Sequence, residues 1–312
     1  MRLRFTFSWF CLLLLAGGAV LLNACTKTRT EIKTVTVTDT AVIDTSGNTI
    51  AMGPIRPRTS ASNQWVTKFF EYNPAPGQFL NTTLADSAAA AAVVGNSQGL
   101  VSLGAFGGYV VYGFDHTVID TAGPDLIVIG NAFAQFAEPG VVWVMQDQNG
   151  NGKPDDTWYE LAGSETGRPG YVRNYSVTYS RPSPANGNVP WTDNKGNSGF
   201  VLTNIYNTQD YYPDDLKANS YTLTGTLLPS TNIDTTDPTY IISTSFGYGY
   251  CDNSAGGDYV DISTAIDSTG RHVTLKGIDF VKIQTGILFN MGWLGEQSTE
   301  VTGIADVSLY QP

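Results

Sequence analysis

Residues 140–146 read GVVWVMQ, and the ten residues after them, 147–156, read DQNGNGKPDD. The first run is apolar and β-branched but too short for a helix of ordinary length, so it predicts a buried strand. The second run mixes acidic and amide side chains with two glycines and a proline, which is typical of a loop. The pattern therefore predicts a strand that ends abruptly in an acidic loop.

The same alternation of apolar runs and loop residues continues along most of the chain. From about residue 63, short apolar or aromatic runs are separated by Gly, Pro, Asn and Asp; examples are GYVVYGF, DLIVIG, SYTLTGTLL and YVDIS. Only LADSAAAAAVVGN, residues 84–96, favours a helix, with Asp86 or Ser87 as N-cap and Gly95 as terminator. About nine strands without alternating helices predict an all-β fold, a two-sheet β-sandwich or jelly-roll-like domain with one short helix.

The N-terminal residues predict export. Residues 1–25 read MRLRFTFSWFCLLLLAGGAVLLNAC: two arginines, an apolar run and small residues, as in a secretory signal peptide. A transmembrane anchor is the alternative, but the run falls short of the roughly 20 apolar residues that a spanning helix needs. The last four residues, LNAC, match the lipobox of bacterial lipoproteins, so Cys25 is the predicted site of lipid attachment.

Three regions follow from this pattern: a lipoprotein signal peptide at 1–24, a Thr-rich tether at 25–62 and a single β-sandwich domain at 63–312. The tether has few large apolar residues, so it buries too little surface to offset the entropy of ordering. Of the three cysteines, Cys11 lies in the signal peptide and Cys25 is lipidated, which leaves Cys251 as a buried, inert thiol. With no disulfide expected, the domain must be held by its core or by a metal.

The charge balance disfavours some partners. The chain carries a formal charge of −11, and loss of residues 1–24 removes Arg2 and Arg4 but no acid, which gives −13. Nucleic acid and anionic lipid head groups would be repelled by this field. Contact with the membrane is therefore expected through the lipid anchor alone.

The acidic loop has the composition of a calcium site. Calcium prefers about six to eight oxygen ligands, and a turn can supply them from every second side chain. The predicted ligands are Asp147, Asn149, Asn151, Lys153 through its carbonyl, Asp155 and Asp156. Gly152 permits the bend, but Trp158 stands where an EF-hand has its last glutamate. The loop is similar to the shorter calcium loops of dockerins and thrombospondin type 3 repeats; a metal-free Asn-Gly turn is the alternative.

Other acidic residues are further candidates. Asp252, Asp258 and Asp261 surround a Gly-Gly turn in CDNSAGGDYVDIS and are either polar turn residues or part of a second metal or ligand site. Glu138 and Glu300 lie inside apolar stretches, where burial would raise the pKa toward that of a general acid. Either glutamate could instead accept backbone hydrogen bonds or coordinate a metal.

Catalytic motifs are scarce. The sequence contains no HExxH, CxxC, P-loop or GxGxxG pattern, and its only histidines, His116 and His272, are expected to be turn or strand-end residues. No residue is predicted to be catalytic. The many carboxylates leave a polysaccharide hydrolase or lyase open, because glycoside hydrolysis needs only two of them.

Aromatic residues in turn-rich contexts suggest a binding face. Six tryptophans and sixteen tyrosines suit stacking against sugar rings or another flat ligand. The residues predicted to contact a ligand are Trp191, Tyr211, Tyr212 and Trp293. The alternative is that these rings pack in the core of the sandwich.

The order GGYVVYGFDH, GPDLIVIGNAF, EPGVVWVMQDQNGNGKPDDTWYELAGSE, YCDNSAGGDYVDIS and LKGIDFVKIQT resembles a family of cell-surface lipoproteins of Gram-negative gut bacteria. The resemblance covers about residue 68 to the end. It implies a calcium-containing, jelly-roll-like domain displayed on the outer membrane, usually without an assigned enzymatic activity. Some relatives are encoded beside cobalamin transport genes, which implies nutrient capture.

The predicted function is therefore non-catalytic. A lipid-anchored protein with a calcium-stabilised β-sandwich would bind a glycan or a small nutrient at the cell surface, with an outer-membrane transporter complex as a candidate partner. The alternatives are an accessory protein that captures corrinoids such as cobalamin, a polysaccharide hydrolase or lyase that uses Asp or Glu, and a purely structural subunit.

Overall fold

The computed structural model describes residues 42–43, 49–50 and 53–311. The predicted signal peptide, Cys25 and most of the predicted tether lie outside the described residues. The strands are β1 (Val42–Ile43), β2 (Thr49–Ile50), β3 (Lys68–Asn73), β4 (Val101–Ser102), β5 (Tyr109–Ile119), β6 (Leu126–Ile129), β7 (Gly140–Met145), β8 (Tyr159–Leu161), β9 (Val172–Ser180), β10 (Val189–Asp193), β11 (Ser198–Val201), β12 (Ser220–Leu227), β13 (Ile233–Asp234), β14 (Ile242–Ser243), β15 (Tyr250–Cys251), β16 (Asp258–Val260), β17 (Ala265–Ile266), β18 (Gly277–Thr285), β19 (Glu300–Val301) and β20 (Gly303–Asp306).

Helices are few, as predicted. The described residues contain one α-helix, α1 (Ser87–Ala92), and two short 3-10 helices, Ile262–Thr264 and Gly292–Leu294. None of these helices is long and apolar enough to cross a membrane. The prediction of an all-β fold with one short helix is confirmed.

The largest sheet has seven strands. Its order is β17-β8-β7-β18-β5-β3, with β15 beside β7, and its pairs are antiparallel. Strand β18 is central, so that Val281 pairs with Tyr112 of β5 and with Val144 of β7. Nearly every residue of β7 and β18 is buried: β7, GVVWVM, reads as a continuous apolar run, whereas β18, GIDFVKIQT, also buries polar side chains.

Two smaller sheets complete the sandwich. The three-stranded sheet β16-β6-β20 shares the first core with the largest sheet and α1; Leu126, Val144 and Ala90 are among the buried residues there. The four-stranded sheet β11-β10-β9-β12 has a second core, against which Tyr109 of β5 packs. Burial of apolar area in these two cores is the main stabilising contribution to the domain.

Helix α1 begins and ends close to where its sequence predicts. The Asp86 Oδ1 atom accepts the Ala89 N–H at 2.7 Å, which is the N-cap hydrogen bond. Gly95 follows with a φ of +80°, a left-handed conformation that favours glycine. Ala89 and Ala90 face the first core.

Residues 53–62 contact the sandwich, although the sequence placed the domain boundary at residue 63. The Arg56 Nη2 atom lies 2.8 Å from Oδ1 of Asp279, which is fully buried. The Arg56 backbone N–H donates to Thr117 Oγ1 and its carbonyl accepts the Thr117 N–H, both at 2.9 Å. Residues 53–62, GPIRPRTSAS, contain no apolar run from which these polar contacts of Arg56 could be predicted.

The lone cysteine of the domain is buried, as predicted. Cys251 in β15 is a free thiol with no exposed surface. Burial raises its pKa well above the ordinary value, so the reactive thiolate is disfavoured.

Candidate functional site

A cavity of about 400 Å³ lies between the loop after β6, the 3-10 helix Gly292–Leu294 and the start of β19. Its wall carries aromatic rings, and its floor carries carboxylate and amide groups. A concave site of this size with a few converging polar groups is the usual form of a small-molecule site. We call it the acidic cavity.

Three aromatic rings line the acidic cavity and are open to solvent. Phe133, Tyr206 and Trp293 are 66%, 70% and 47% exposed. The indole N–H of Trp293 donates to the Thr239 carbonyl at 3.1 Å, which fixes the orientation of its ring. Exposed rings beside a cavity offer flat apolar faces on which a ligand ring can stack.

Asp252 holds the floor of the acidic cavity together. Its Oδ1 atom accepts the Asn131 N–H at 2.9 Å, and its Oδ2 atom accepts the Glu300 N–H at 2.8 Å. Its carbonyl accepts the Glu138 N–H at 2.9 Å. A Cβ atom at Gly130 would collide with the Asp252 carboxylate, so this close approach requires glycine. Asp252 itself has a φ of +50°, which the surrounding hydrogen bonds maintain.

Three carboxylates converge at this floor. Oxygen atoms of Glu138, Asp252 and Glu300 all lie within 4.8 Å of one another. Burial raises the pKa of each group, and the charge of Glu300 raises the pKa values of Glu138 and Asp252 further. The group could hold a metal ion, and in its protonated form it could donate a proton.

The polar atoms of the floor are only partly bonded to one another. Glu138 Oε1 accepts the Ser298 N–H at 3.0 Å. The Glu300 Oε1 and Gln297 Oε1 atoms are buried and have no hydrogen-bond partner among the described residues. Buried acceptors without partners are rare in folded proteins and call for an occupant.

Of the four aromatic residues predicted to bind a ligand, one lines the acidic cavity. Trp293 lies on its wall, whereas Trp191 of β10 is half-buried and packs against the second core. Tyr211 and Tyr212 are 0% and 1% exposed and belong to that core. Their buried rings offer no face to a ligand, which differs from the predicted binding face.

The predicted calcium loop is a turn closed by its own side chains. Asp147 accepts the backbone N–H groups of Asn151 and Gly152 at 3.0 and 2.8 Å. Asp156 Oδ2 accepts the Gln148 N–H at 2.9 Å. Gly152 has a φ of +72°, so the bend lies at the predicted position.

The side chains at the tip of this loop face one another. The Asn149 and Asn151 amides both donate to Asp155, at 3.0 Å to its Oδ1 and Oδ2 atoms respectively, and these bonds lower the pKa of that carboxyl. The Lys153 carbonyl accepts the Asp155 N–H at 2.9 Å. A cation here would require both amides to turn their oxygens inward.

The second acidic group of the sequence is divided among three places. Asp252 lies beneath the acidic cavity, where its carboxylate converges with those of Glu138 and Glu300, and Asp258 Oδ2 accepts the Asn253 N–H at 2.8 Å in its own turn. Asp261 joins Asp120 and Asp125 in another group whose carboxylate oxygens lie within 4.8 Å. Among the described residues these are the two groups of three converging acidic side chains, and neither includes the 147–156 loop.

Part of the acidic cavity could be predicted from the sequence. Glu138, Glu300 and Trp293 were candidates, whereas Phe133 and Tyr206 were not. A signal for Phe133 was present, because the loop GNAFAQFAEPG places two phenylalanines and an amide next to Glu138. Such rings can equally fill a core, and only the fold shows that Phe133 is exposed.

Comparison with known proteins does not assign a family, because no protein-family model and no curated protein matches the chain. The function must therefore be inferred from the cavity and the side chains that line it.

Proposed function

We propose that this is a cell-surface protein, anchored by a lipid on Cys25, whose β-sandwich captures an extracellular carbohydrate without altering it. The observation that carries the proposal is the acidic cavity, where the exposed rings of Phe133, Tyr206 and Trp293 lie beside carboxylates and amides. A sugar offers an apolar face for stacking and hydroxyl groups for hydrogen bonds, so its chemistry matches both parts of the cavity.

Cobalamin is the alternative ligand that the resemblance suggests. A corrin macrocycle is far larger than a sugar ring, so in a cavity of about 400 Å³ it would bind across the rim instead of within. A sugar residue of a glycan fits the interior better. An outer-membrane transporter complex is a fitting recipient for either captured ligand.

We also propose that Ca²⁺ binds the 147–156 loop. The side chains of this loop present carboxylate and amide oxygens, which are the ligands that hard cations prefer. The ion would fix the loop and, through it, the following strand β8.

A second candidate function is a polysaccharide hydrolase or lyase. One observation favours it: Glu138 and Glu300 share the acidic cavity, and burial raises both pKa values, as a general acid requires. In that case the aromatic rings would position the substrate, and one protonated carboxyl would donate to the leaving oxygen.

The test is calorimetric titration of the full chain in calcium with a panel of glycans and with cobalamin. We expect one glycan class to bind, and we expect Tyr206→Ala and Trp293→Ala to weaken that binding. Tyr248→Ala is the matched control, because Tyr248 is 64% exposed and does not line the cavity. Equal losses of glycan affinity in Tyr206→Ala and Tyr248→Ala would contradict the proposed site.

Product analysis separates capture from catalysis. Prolonged incubation with the bound glycan should leave it intact if the protein only captures its ligand. Release of shorter saccharides by the native protein, abolished in Glu300→Gln while binding persists, would establish the hydrolase or lyase instead. Binding of cobalamin alone would replace the carbohydrate with a corrinoid.

A further inference from the structure

We propose that Glu138, Asp252 and Glu300, together with the side chain of Asn131, form a site for a hard divalent cation such as Ca²⁺ at the floor of the acidic cavity. This site is separate from the 147–156 loop, and it does not depend on what the cavity binds. Its residues come from four segments of the chain: the loop after β6, the residues before β7, the residue after β15 and the start of β19.

The ligand set has the chemistry of a calcium site. Three carboxylates supply oxygen atoms within 4.8 Å of one another, which is a separation that a single ion can bridge. Calcium takes about six to eight oxygens at roughly 2.3 to 2.6 Å. Three carboxylates and one amide leave part of that shell open toward the cavity, where water or ligand hydroxyls would complete it.

An unpartnered buried atom points to an occupant. Glu300 is 2% exposed, and its Oε1 atom has no hydrogen-bond partner among the described residues. Burial raises the pKa of Glu300, whereas hydrogen bonding with Glu138, Ser102 and Ser298 lowers it. A bound cation would favour the ionised form and remove the cost of burying the unpartnered oxygen.

Asn131 belongs to the same group. With its amide oriented so that the NH₂ group donates, it bonds Oδ1 of Asp252 and Oε2 of Glu300, at 3.3 Å each. Two arrangements are thus open to this side chain. In one the amide NH₂ group bonds the carboxylates directly, and in the other the oxygen converges with them on a cation.

No basic side chain within the described residues compensates the charge of this group. Across all the described residues, the acids that form ion pairs are Asp115, Glu165, Asp267, Asp279 and Asp306. None of these pairs includes a carboxylate of the cavity floor. Carboxylates as close as these three repel one another unless a cation or protons intervene.

The other acidic group of the described residues, Asp120, Asp125 and Asp261, differs because it has no buried oxygen without a hydrogen-bond partner. Asp125 Oδ1 accepts the Thr121 N–H at 2.8 Å, and its Oδ2 accepts the Ile262 N–H at 3.0 Å. Asp261 Oδ1 accepts the Ser263 N–H at 2.8 Å and caps a 3-10 helix. No oxygen of Asp120, Asp125 or Asp261 is among the buried unpartnered atoms of the described residues, so this group serves as a control.

The experiment is titration of the metal-stripped full chain with Tb³⁺, an analogue of Ca²⁺, with emission excited through tryptophan. Trp293 lines the acidic cavity, and Trp158 follows the 147–156 loop by two residues, so each reports on its own site. We expect Trp293→Phe to remove one component of the emission and leave the other. The Trp293 ring belongs to no core cluster of the described residues, so Trp293→Phe should fold.

Ligand variants then identify the site. Glu300→Gln should weaken cation binding at the Trp293 component by about tenfold or more, since even indirect partners of a metal change affinity by roughly 10- to 100-fold. Asp147→Ala should spare that component, and Asp261→Asn should change neither. Two results would overturn the proposal. One is Tb³⁺ emission that Trp293→Phe leaves unchanged, and the other is a number of bound Ca²⁺ ions, measured by calorimetry, that the 147–156 loop accounts for completely.

Discussion

His116 is the residue whose environment differs most from its sequence prediction. It was expected at a turn or strand end, yet it is 1% exposed and lies between two carboxylates, 2.6 Å from Asp115 and 2.9 Å from Asp306. Both ring nitrogens face carboxylate oxygens, so the doubly protonated ring can donate to each of them. The hydrogen bond to Asp306 above all raises the pKa of His116, whereas it lowers that of Asp306.

This arrangement predicts a stability that depends on pH. A raised pKa in the folded state means that His116 stabilises the fold fully below its ordinary pKa of 6.5, and that this contribution is lost as the pH rises through the folded value. We therefore expect the stability difference between native protein and His116→Gln to shrink as the pH rises above about 6.5. Urea unfolding of both proteins at several pH values measures it.

Phe200→Ala provides the control, because Phe200 is exposed and its side chain does not titrate. The stability of this variant should change with pH in parallel with that of the native protein. Parallel curves for His116→Gln would show that the buried ring is neutral and would contradict the prediction. Groups that titrate in both proteins, such as Glu296 with its burial-raised pKa of about 7, cancel in the difference.

Among the elements, the 147–156 loop is the one whose ligand can be tested most directly. Asp147 is 2% exposed and joins the loop to the strand before it, whereas Asp155 lies at the exposed tip. If calcium binds here, saturating Ca²⁺ should stabilise the native protein by about 2.7 kcal/mol at one hundred times its dissociation constant. Asp147→Ala combined with Asp155→Ala should abolish the part of the calcium-dependent rise in Tm that the loop contributes.

The proper comparison for this double variant is Glu300→Gln in the acidic cavity. Calorimetric unfolding in chelator and in calcium would be measured for the native protein and both variants. A native Tm that is the same in chelator and in calcium would contradict a calcium site in the loop. If the calcium-dependent rise in Tm is lost in Glu300→Gln but kept in the double variant, the ion binds in the cavity alone.

At the scale of the whole molecule, the sequence predicted the elements better than their arrangement. Strands such as β7 and the helix α1 are encoded by local runs and caps, so they could be recognised directly. The pairing of Val281 with Tyr112 joins residues far apart in sequence, and no local pattern specifies it. The sequence therefore supported a fold class but not a sheet order.

For the acidic cavity too, single residues could be predicted from the sequence but their arrangement could not. Glu138 and Glu300 were conspicuous because each is an acid inside an apolar run. Their meeting depends on Asp252, whose hydrogen bonds to the backbone of both glutamates form only in the folded sandwich. Tyr211 and Tyr212 illustrate the opposite error, since a turn-rich context suggested exposure while the fold buried both rings.

The contact between Arg56 and Asp279 tests how residues 53–62 contribute to the fold. Asp279 is fully buried, and Arg56→Ala leaves its carboxylate with only the Thr117 hydroxyl and the Asp147 N–H as donors among the described residues, so the change should cost about 2 kcal/mol. Arg58→Ala is the control, because the Arg58 guanidinium donates to the hydroxyl of Ser308 at the surface, at 2.9 Å. Denaturant unfolding of both variants measures the difference, and equal effects would mean that the ion pair contributes nothing.

The contacts of Arg56 determine where a mechanical load would enter the protein. Arg56 pairs with Asp279 of β18 through its side chain and with Thr117 of β5 through its backbone, so tension on the chain ahead of Gly53 would reach two neighbouring strands of the largest sheet before it reaches β3. If the chain is tethered through Cys25 as proposed, drag by flow or by a bound polymer would first load these contacts.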